Sequence, residues 1–311
     1  MRTRQIGSLD VSVVGIGCNN FGSRLDEGGT AAVVHAALDA GVTFFDTADV
    51  YGGTKSEEFL GSALARRRDE AVVATKFGMP LDAERRGARP EYVRRALEDS
   101  LRRLQTDHVD LYQLHAPDPD TPVADTLAAL DECVRAGTVR EIGCSNFTAA
   151  QLAEADAAVA VGAARFVSVQ NHYNLLHREP ERDVLPACER LGMAFLPYFP
   201  LAAGVLTGKY RRDGSLPSGT RIAGMPSERR GTLLSPDNLA VAERLGDLAR
   251  RHGRDTTALA IAWIAGHEVV ASVIAGAMTP EQVRTNASAA DWELTSSDMD
   301  EVDALAPPPH T

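Results

Sequence analysis

Short apolar runs alternate with amphipathic segments from residue 11 onward, at intervals of roughly thirty residues, which is typical of alternating strands and helices. The apolar runs are rich in β-branched residues and have few polar positions, as strands buried on both faces of a parallel sheet do. The pattern predicts eight such strands, at Val13–Ile16, Thr43–Phe45, Ala71–Ala74, Val109–Tyr112, Val139–Ile142, Phe166–Val169, Met193–Leu196 and Ala271–Ile274.

The segments between these strands carry helix signals. Apolar residues fall on one face of residues 90–105, and Pro90 suits the first turn of that helix. Three further helix starts are predicted, at Thr121-Pro122, at a capping box of Thr148 with Gln151, and at a second capping box of Thr279 with Gln282.

Eight strands that are each followed by a helix close most simply into a (β/α)8 TIM barrel of the α/β class, although a doubly wound sheet gives the same local pattern. Residues 200–235 depart from the alternation and predict a long, ordered, functional loop. Extra helices are expected at about 237–253 and at 296–306, the latter ended by Pro307-Pro308-Pro309. We expect residues 1–311 to form one barrel domain.

Composition excludes several partners. The 43 acidic residues outnumber the 32 basic ones, and a net charge of −11 repels nucleic acid and anionic membranes. Neither the N-terminus nor any later stretch has the apolar run of a signal peptide or a membrane span, so we expect a cytoplasmic protein. Cys18, Cys133, Cys144 and Cys188 lack ligand spacing, which predicts neither a disulfide framework nor a metal site.

Four polar residues follow successive predicted strands, where the catalytic groups of a barrel lie. Asp46 follows the second strand, Tyr51 stands five residues later in a loop with two glycines after it, Lys76 ends the third strand and His115 the fourth. A tyrosine has an ordinary pKa near 10, and a nearby ammonium would lower it, while an aspartate would keep that ammonium charged. His115 could then orient a carbonyl oxygen by a hydrogen bond.

Each of these residues also has a plain structural interpretation. A lysine and an aspartate at strand ends can form an internal ion pair, and a tyrosine or a histidine there can simply satisfy local hydrogen bonds. Lys76 could instead be a Schiff-base nucleophile if its pKa were depressed. The conjunction of the four at one end of a barrel favours chemistry.

At these residues the chain resembles the aldo-keto reductase superfamily over nearly its whole length. The resemblance rests on Gly41–Gly52 with its Asp46 and Tyr51, on Lys76 and His115, and on Ser100–Asp107 and Val139–Phe147. It implies an oxidoreductase that reduces an aldehyde or ketone to an alcohol, or the reverse, with Asp46, Tyr51, Lys76 and His115 as catalytic residues. It also leaves a cofactor-binding regulatory module, similar to potassium-channel β subunits, as the alternative.

The resemblance further implies an extended NADP(H) across the barrel mouth, without the dinucleotide fingerprint of a Rossmann domain. The residues implied to bind it are Cys18, Asn19, Asp46, Ser145, Asn146, Gln170, Tyr198, Phe199, Pro200, Leu201, Ala203, Lys209, Arg221, Gly276, Met278, Gln282 and Asn286. Met278 and Thr279 replace the usual partners of the 2′-phosphate, so NAD(H) is the alternative cofactor. The substrate is expected to be a small carbonyl compound or alcohol of unspecified identity.

Overall fold

The computed structural model describes residues 1–210 and 220–308. Within them, eight parallel strands close into a barrel in the order β10-β3-β4-β5-β6-β7-β8-β9, and two further strands form an antiparallel hairpin, β1-β2. The strands are β1 (Thr3–Ile6), β2 (Leu9–Ser12), β3 (Val14–Gly17), β4 (Phe44–Asp46), β5 (Val72–Phe77), β6 (Val109–Leu114), β7 (Val139–Ser145), β8 (Phe166–His172), β9 (Ala194–Tyr198) and β10 (Val273–Ala275).

The barrel confirms the eight predicted strands and the predicted fold class. Several strands continue past their predicted ends, and these additions carry polar residues: Asp46, Lys76, Ser145, Gln170 and Tyr198 all lie in strands. The register brings neighbours together, since Asp46 pairs with Gly17 on one side and with Ala74 on the other. The parallel arrangement therefore gathers the candidate polar residues at one end of the barrel.

The hairpin β1-β2 was not predicted. Its turn contains Gly7, whose φ of +56° suits a residue without a side chain. Ile6, Leu9 and Val11 are fully buried and pack on a cluster of barrel-interior residues that includes Phe44 and Leu111. The hairpin thus covers the end of the barrel opposite the candidate site, and each buried apolar side chain contributes about 1.5–3 kcal/mol.

Helices surround the barrel and pack on it through a second, larger apolar cluster. The helix α9 is buried along its whole length, whereas α3 is amphipathic as predicted. The helices are α1 (Glu27–Asp39), α2 (Lys55–Leu64), α3 (Pro90–Leu104), α4 (Val123–Arg135), α5 (Ala149–Ala157), α6 (Val184–Leu191), α7 (Ser227–Leu233), α8 (Pro236–Arg251), α9 (Thr256–Ala265), α10 (Pro280–Ser288) and α11 (Ser296–Leu305).

The predicted helix ends are confirmed with one exception. Thr148 and Gln151 form the expected capping box at the start of α5. The Thr279 hydroxyl accepts a hydrogen bond from the Gln282 N–H at 3.3 Å, but the Gln282 side chain accepts from the Met278 N–H at 2.8 Å. The second predicted capping box is therefore wrong in one of its two hydrogen bonds, because the Gln282 side chain accepts from the N–H of Met278 and not from that of Thr279.

The predicted loop at 200–235 is partly described. It contains short 3₁₀ turns at Ala202–Thr207 and Ile222–Gly224 and the unpredicted helix α7, while residues 211–219 and 309–311 lie outside the described residues. At the C-terminal end, Asp303 of α11 accepts a hydrogen bond from the indole of Trp263 at 3.0 Å, so this last helix packs on the barrel shell as expected. None of the helices in the described part of the chain is long and apolar enough to cross a membrane.

Candidate active site at the C-terminal end of the barrel

A cleft of about 1000 Å³ opens at the C-terminal ends of the strands. Three of the four predicted catalytic residues line it, and Lys76 lies behind them, fully buried. The predicted cofactor residues that line it are Asn19, Asp46, Ser145, Asn146, Gln170, Tyr198, Phe199, Pro200, Leu201, Ala203, Lys209, Arg221, Gly276, Met278, Gln282 and Asn286. One cleft therefore unites residues from loops far apart in the sequence.

Lys76 and Asp46 form a buried ion pair on adjacent strands. The Lys76 ammonium lies 2.7 Å from Asp46 Oδ2 and also donates to the Thr47 carbonyl at 2.8 Å. Burial opposes the charge on Lys76, but the attraction and hydrogen bonds of Asp46 and Tyr51 together outweigh it, and the pKa of Lys76 lies above its usual value. Lys76 is accordingly charged at neutral pH, which disfavours the Schiff-base alternative because that reaction needs the free amine.

The second oxygen of Asp46 is held by two glutamines. Asp46 Oδ1 accepts from Gln170 Nε2 at 2.8 Å and from Gln113 Nε2 at 3.2 Å. Gln113 is fully buried in β6 and was not predicted, since nothing local distinguishes it from any other polar residue in a strand. Because these bonds fix the carboxylate in one orientation, the Lys76 ammonium is fixed as well.

Tyr51 lies in a tight turn beside this pair. A β-carbon on the next residue, Gly52, would lie 2.5 Å from the Phe21 carbonyl oxygen, and the φ of Gly52 is +59°. The Lys76 ammonium lies 5.1 Å from the centroid of the Tyr51 ring, and the His115 ring meets Tyr51 edge-on at 5.8 Å. The turn therefore places the phenol between the ammonium and the imidazole.

The pKa of Tyr51 differs in direction from the simple expectation. Burial raises it, the Lys76 ammonium lowers it and Asp46 raises it again, and the net pKa lies above the ordinary value for tyrosine. Lys76 acts in the predicted sense, but the desolvation of the phenolate is the larger effect. Tyr51 therefore holds its proton at neutral pH, as a proton donor must.

His115 is neutral for similar reasons. Burial and the nearby Lys76 ammonium lower the pKa of His115 to about 3. Its Nδ1 is buried and has no hydrogen-bond partner among the described residues. A neutral imidazole that lines a cleft can donate one hydrogen bond to an oxygen without adding a charge there.

Asn146 and Tyr198 join the neighbouring strand ends. Asn146 adopts a φ of +62° and donates from Nδ2 to the His115 carbonyl at 2.9 Å, while its Oδ1 accepts from the Tyr198 hydroxyl at 2.9 Å. Ser145 donates to the Gln170 carbonyl at 2.7 Å. These bonds hold the amide and hydroxyl groups of three strands at fixed positions along one wall of the cleft.

The segment after β9 has an unusual backbone. Phe199, Ala202 and Ala203 have φ values of +63°, +46° and +56°, and left-handed conformations cost such residues roughly 1–2 kcal/mol each. Lys209 and Arg221 line the cleft here as expected, and Arg24 and Arg229 join them. The last two were not predicted, since nothing in the sequence distinguishes Arg24 and Arg229 from arginines on the protein surface.

Cys18 is the predicted cofactor residue that does not line the cleft. Its side chain is fully buried, and its thiol lies 3.6 Å from the Ile16 carbonyl, to which it donates. Gly17 and Asn19, on either side, do line the cleft, because the short 3₁₀ turn that starts at Cys18 rotates its side chain into the protein. The side chain of Cys18 is therefore not among those that could contact a molecule in the cleft.

The four cysteines are free thiols. No group of three histidine, cysteine or acidic side chains is placed to hold a metal ion within residues 1–210 and 220–308.

Comparisons with known proteins point to one family. Residues 13–307 match the family model described as the aldo/keto reductase family. The uncharacterized oxidoreductase YrpG of Bacillus subtilis (strain 168) is 35% identical, over 97% of this chain and 94% of that protein. The protein tas of Escherichia coli (strain K12) is 33% identical, over 96% of this chain and 95% of its own length.

A solved structure is similar throughout. The glycerol dehydrogenase AKR11B4 from Gluconobacter oxydans superposes with a TM-score of 0.85 at 31% identity, and the match covers 99% of this chain and 97% of that chain.

Proposed function

The chain belongs to the aldo/keto reductase family, and from this premise we propose that it reduces an aldehyde or ketone to an alcohol, or catalyses the reverse reaction, with Tyr51 as the proton donor. One observation carries the proposal: a protonated tyrosine, a neutral histidine and a buried lysine-aspartate pair meet at the floor of one cleft. We also propose that residues 1–311 act as one barrel domain, since strands from both ends of the chain close the same barrel.

The residues of the cleft fit a nicotinamide dinucleotide. Ser145, Asn146 and Gln170 provide amide and hydroxyl groups that can hold a carboxamide, and the ring of Tyr198 can stack on the nicotinamide. Lys209 and Arg221 supply positive charge for a pyrophosphate. They line the cleft next to the segment after β9, in which three residues have positive φ values. When bound, this cofactor supplies the hydride from its C4 carbon.

The protein's own residues then handle the proton. His115, uncharged, donates a hydrogen bond to the carbonyl oxygen and orients it. Tyr51 gives its proton to that oxygen, and the Lys76 ammonium stabilises the phenolate that remains. Asp46, held by Gln113 and Gln170, keeps Lys76 charged and in place. Lys76 and Asp46 are buried, so water screens the attraction between them only weakly.

The adenosine end of the cleft bears on the choice of cofactor. Gly276, Met278, Gln282, Thr285 and Asn286 line it, and none of these residues is charged. An arginine or lysine is the usual partner of a phosphate, so a 2′-phosphate would gain little here. We therefore propose that NAD(H) serves about as well as NADP(H), rather than the NADP(H) preference that the family resemblance implies.

The complete set of four residues, Asp46, Tyr51, Lys76 and His115, favours an enzyme over a regulatory module.

The free thiols of the four cysteines are consistent with a reducing compartment, which supports the proposed cytoplasmic location. The glycerol dehydrogenase among its structural relatives makes small polyols and their carbonyl products reasonable first substrates.

The test has two stages. The purified protein is titrated with NADH and with NADPH by fluorescence, and aldehydes and ketones are then scanned for consumption of the tighter cofactor. Binding with turnover supports the reductase. Binding without turnover on any carbonyl or alcohol would favour the regulatory module, and binding of neither cofactor would refute the proposal.

A further inference from the structure

The charge of the cleft is opposite to that of the protein. The chain as a whole carries −11, yet the described residues that line the cleft include four cations, Arg24, Lys209, Arg221 and Arg229, and a single carboxylate, Asp46. That carboxylate is already neutralised by Lys76 at 2.7 Å. The cleft therefore attracts anions, and the question is which anion each cation meets.

Three of the cations form one group. The pKa of Lys209 is lowered by burial and by the charge of Arg24, and the pKa of Arg221 is lowered by burial, by Arg24 and then by Arg229. The Lys209 amine also lies against Gly204, in the strained segment after β9. Arg24, Lys209 and Arg221 are thus placed together, and their mutual repulsion would be relieved by a multiply charged group such as a pyrophosphate.

Arg229 lies over the same aromatic ring as Arg221. It belongs to α7, and its guanidinium carbon stands 5.7 Å from the centroid of the Phe199 ring, while that of Arg221 stands 4.6 Å from it. Its charge lowers the pKa of His172 and acts in the same direction on Tyr198. Tyr198 is hydrogen-bonded to Asn146, which in turn is bonded to the His115 carbonyl, so the charge of Arg229 acts on the wall of the cleft that carries His115.

The donors of Arg229 make neither a hydrogen bond nor an ion pair among residues 1–210 and 220–308. Its contact there is the one with the Phe199 ring, which leaves the guanidinium N–H groups unpaired within that part of the chain. The N–H groups at the edge remain for a ligand, and their fork matches the two oxygens of a carboxylate or phosphate.

We propose that Arg229 binds an anionic group of the substrate, so that the enzyme prefers carbonyl compounds that carry a carboxylate or a phosphate. This inference rests on the proposed function, since it names the substrate class of the same site. Arg229 acts here as a specificity residue: it holds the substrate's anionic end while the carbonyl lies between Tyr51 and His115.

The test uses pairs of substrates that differ in the anionic group. Succinic semialdehyde is compared with butanal, and glyceraldehyde 3-phosphate with glyceraldehyde, in the wild type and in the Arg229→Gln, Arg229→Lys and Arg230→Gln variants. Arg230 is the matched control, because it follows Arg229 in the same helix but does not line the cleft. The measured quantity is the ratio of kcat/KM for the anionic substrate to that for its neutral partner.

We expect this ratio to exceed one in the wild type and to fall about tenfold to hundredfold in Arg229→Gln, as a charge-assisted hydrogen bond implies. Arg229→Lys should recover part of it, and Arg230→Gln should retain it. The substrate pair whose kcat/KM ratio falls more in Arg229→Gln shows whether Arg229 prefers a carboxylate or a phosphate. An unchanged ratio in Arg229→Gln would overturn the proposal and leave the reductase intact.

An equal loss of kcat/KM for the anionic and the neutral substrate in Arg229→Gln, together with weaker cofactor binding by fluorescence, would indicate that Arg229 binds the cofactor. This result would also overturn the proposal. Absence of turnover for all four compounds and for other carbonyls would instead refute the proposed function, and this inference with it.

Discussion

Asp49 is a buried carboxyl group whose ionisation should govern the pH dependence of stability. It is 1% exposed, and neither of its carboxylate oxygens has a hydrogen-bond partner among the described residues. The nearby carboxylate of Glu57 is also buried, although Arg103 and Thr75 hold it at 2.7 and 2.5 Å. Burial and then Glu57 raise the pKa of Asp49 from 3.8 to about 7.

The magnitude follows from the shift. A carboxyl group with a raised pKa in the folded state favours folding only while it is protonated, so this stabilisation is complete below pH 3.8 and is lost as the pH rises to about 7. Each pKa unit corresponds to about 1.4 kcal/mol, so the full loss is on the order of 4 kcal/mol. The Asp49→Asn variant, which cannot ionise, should not suffer this loss.

Urea denaturation of the wild type and the Asp49→Asn variant at pH 5, 6, 7 and 8 measures the effect. The free energy of unfolding of the variant, minus that of the wild type, should grow by about 2 kcal/mol between pH 5 and pH 7 and by only a few tenths of a kcal/mol more up to pH 8. A difference that does not change over this range would refute the reasoning.

The Asp118→Asn variant is a control, because the pKa of Asp118 is shifted in the direction opposite to that of Asp49. Burial raises the pKa of Asp118, but hydrogen bonds from the Ala88 and Asp120 amides and the Thr121 hydroxyl outweigh it and hold the pKa below its usual value. The loss of this ionised acceptor should therefore destabilise the variant near neutral pH.

Three further predictions concern the catalytic cleft. Lys76→Met leaves the Asp46 charge buried without its partner and should lower the free energy of unfolding by about 3–5 kcal/mol, measured in urea; a change under 1 kcal/mol would contradict the ion pair's role. His115 should cause no inflection in the pH profile of kcat/KM between pH 5 and 8, because its pKa is about 3. An inflection in this range that is lost in His115→Gln, but kept in Tyr51 and Lys76 variants, would contradict this prediction. The dissociation constants of NADH and NADPH, measured by fluorescence, should differ by less than about tenfold, as an uncharged adenosine end implies, whereas a hundredfold preference would refute it.

The barrel could be predicted because its strands are buried on both faces and so appear as continuous apolar runs. The hairpin β1-β2 could not, since each of its strands has only four residues and its apolar side chains pack on residues more than thirty positions away. Its role at the closed end of the barrel depends on the completed fold.

The position of the four candidate catalytic residues at one end of the barrel could be predicted because Asp46, Lys76 and His115 each end or follow a recognisable strand and Tyr51 lies in the loop after Asp46. Gln113, Arg24 and Arg229 could not, because their role depends on which side chain or charge lies across the cleft. Cys18 shows the converse: sequence position placed it beside the cofactor, but the direction of one turn buries its side chain. Sequence position therefore locates a residue in a loop without giving the direction of its side chain.

The Tyr51→Phe variant tests the central claim most directly, because it removes one hydroxyl from a packed site. Its rate of carbonyl reduction is compared with that of the wild type, with the cofactor dissociation constant measured in parallel. We predict a fall in kcat of about 10²–10⁴, as expected for loss of a positioned proton donor, and an unchanged cofactor dissociation constant. Turnover within tenfold of the wild type would contradict the assignment of Tyr51 as the proton donor.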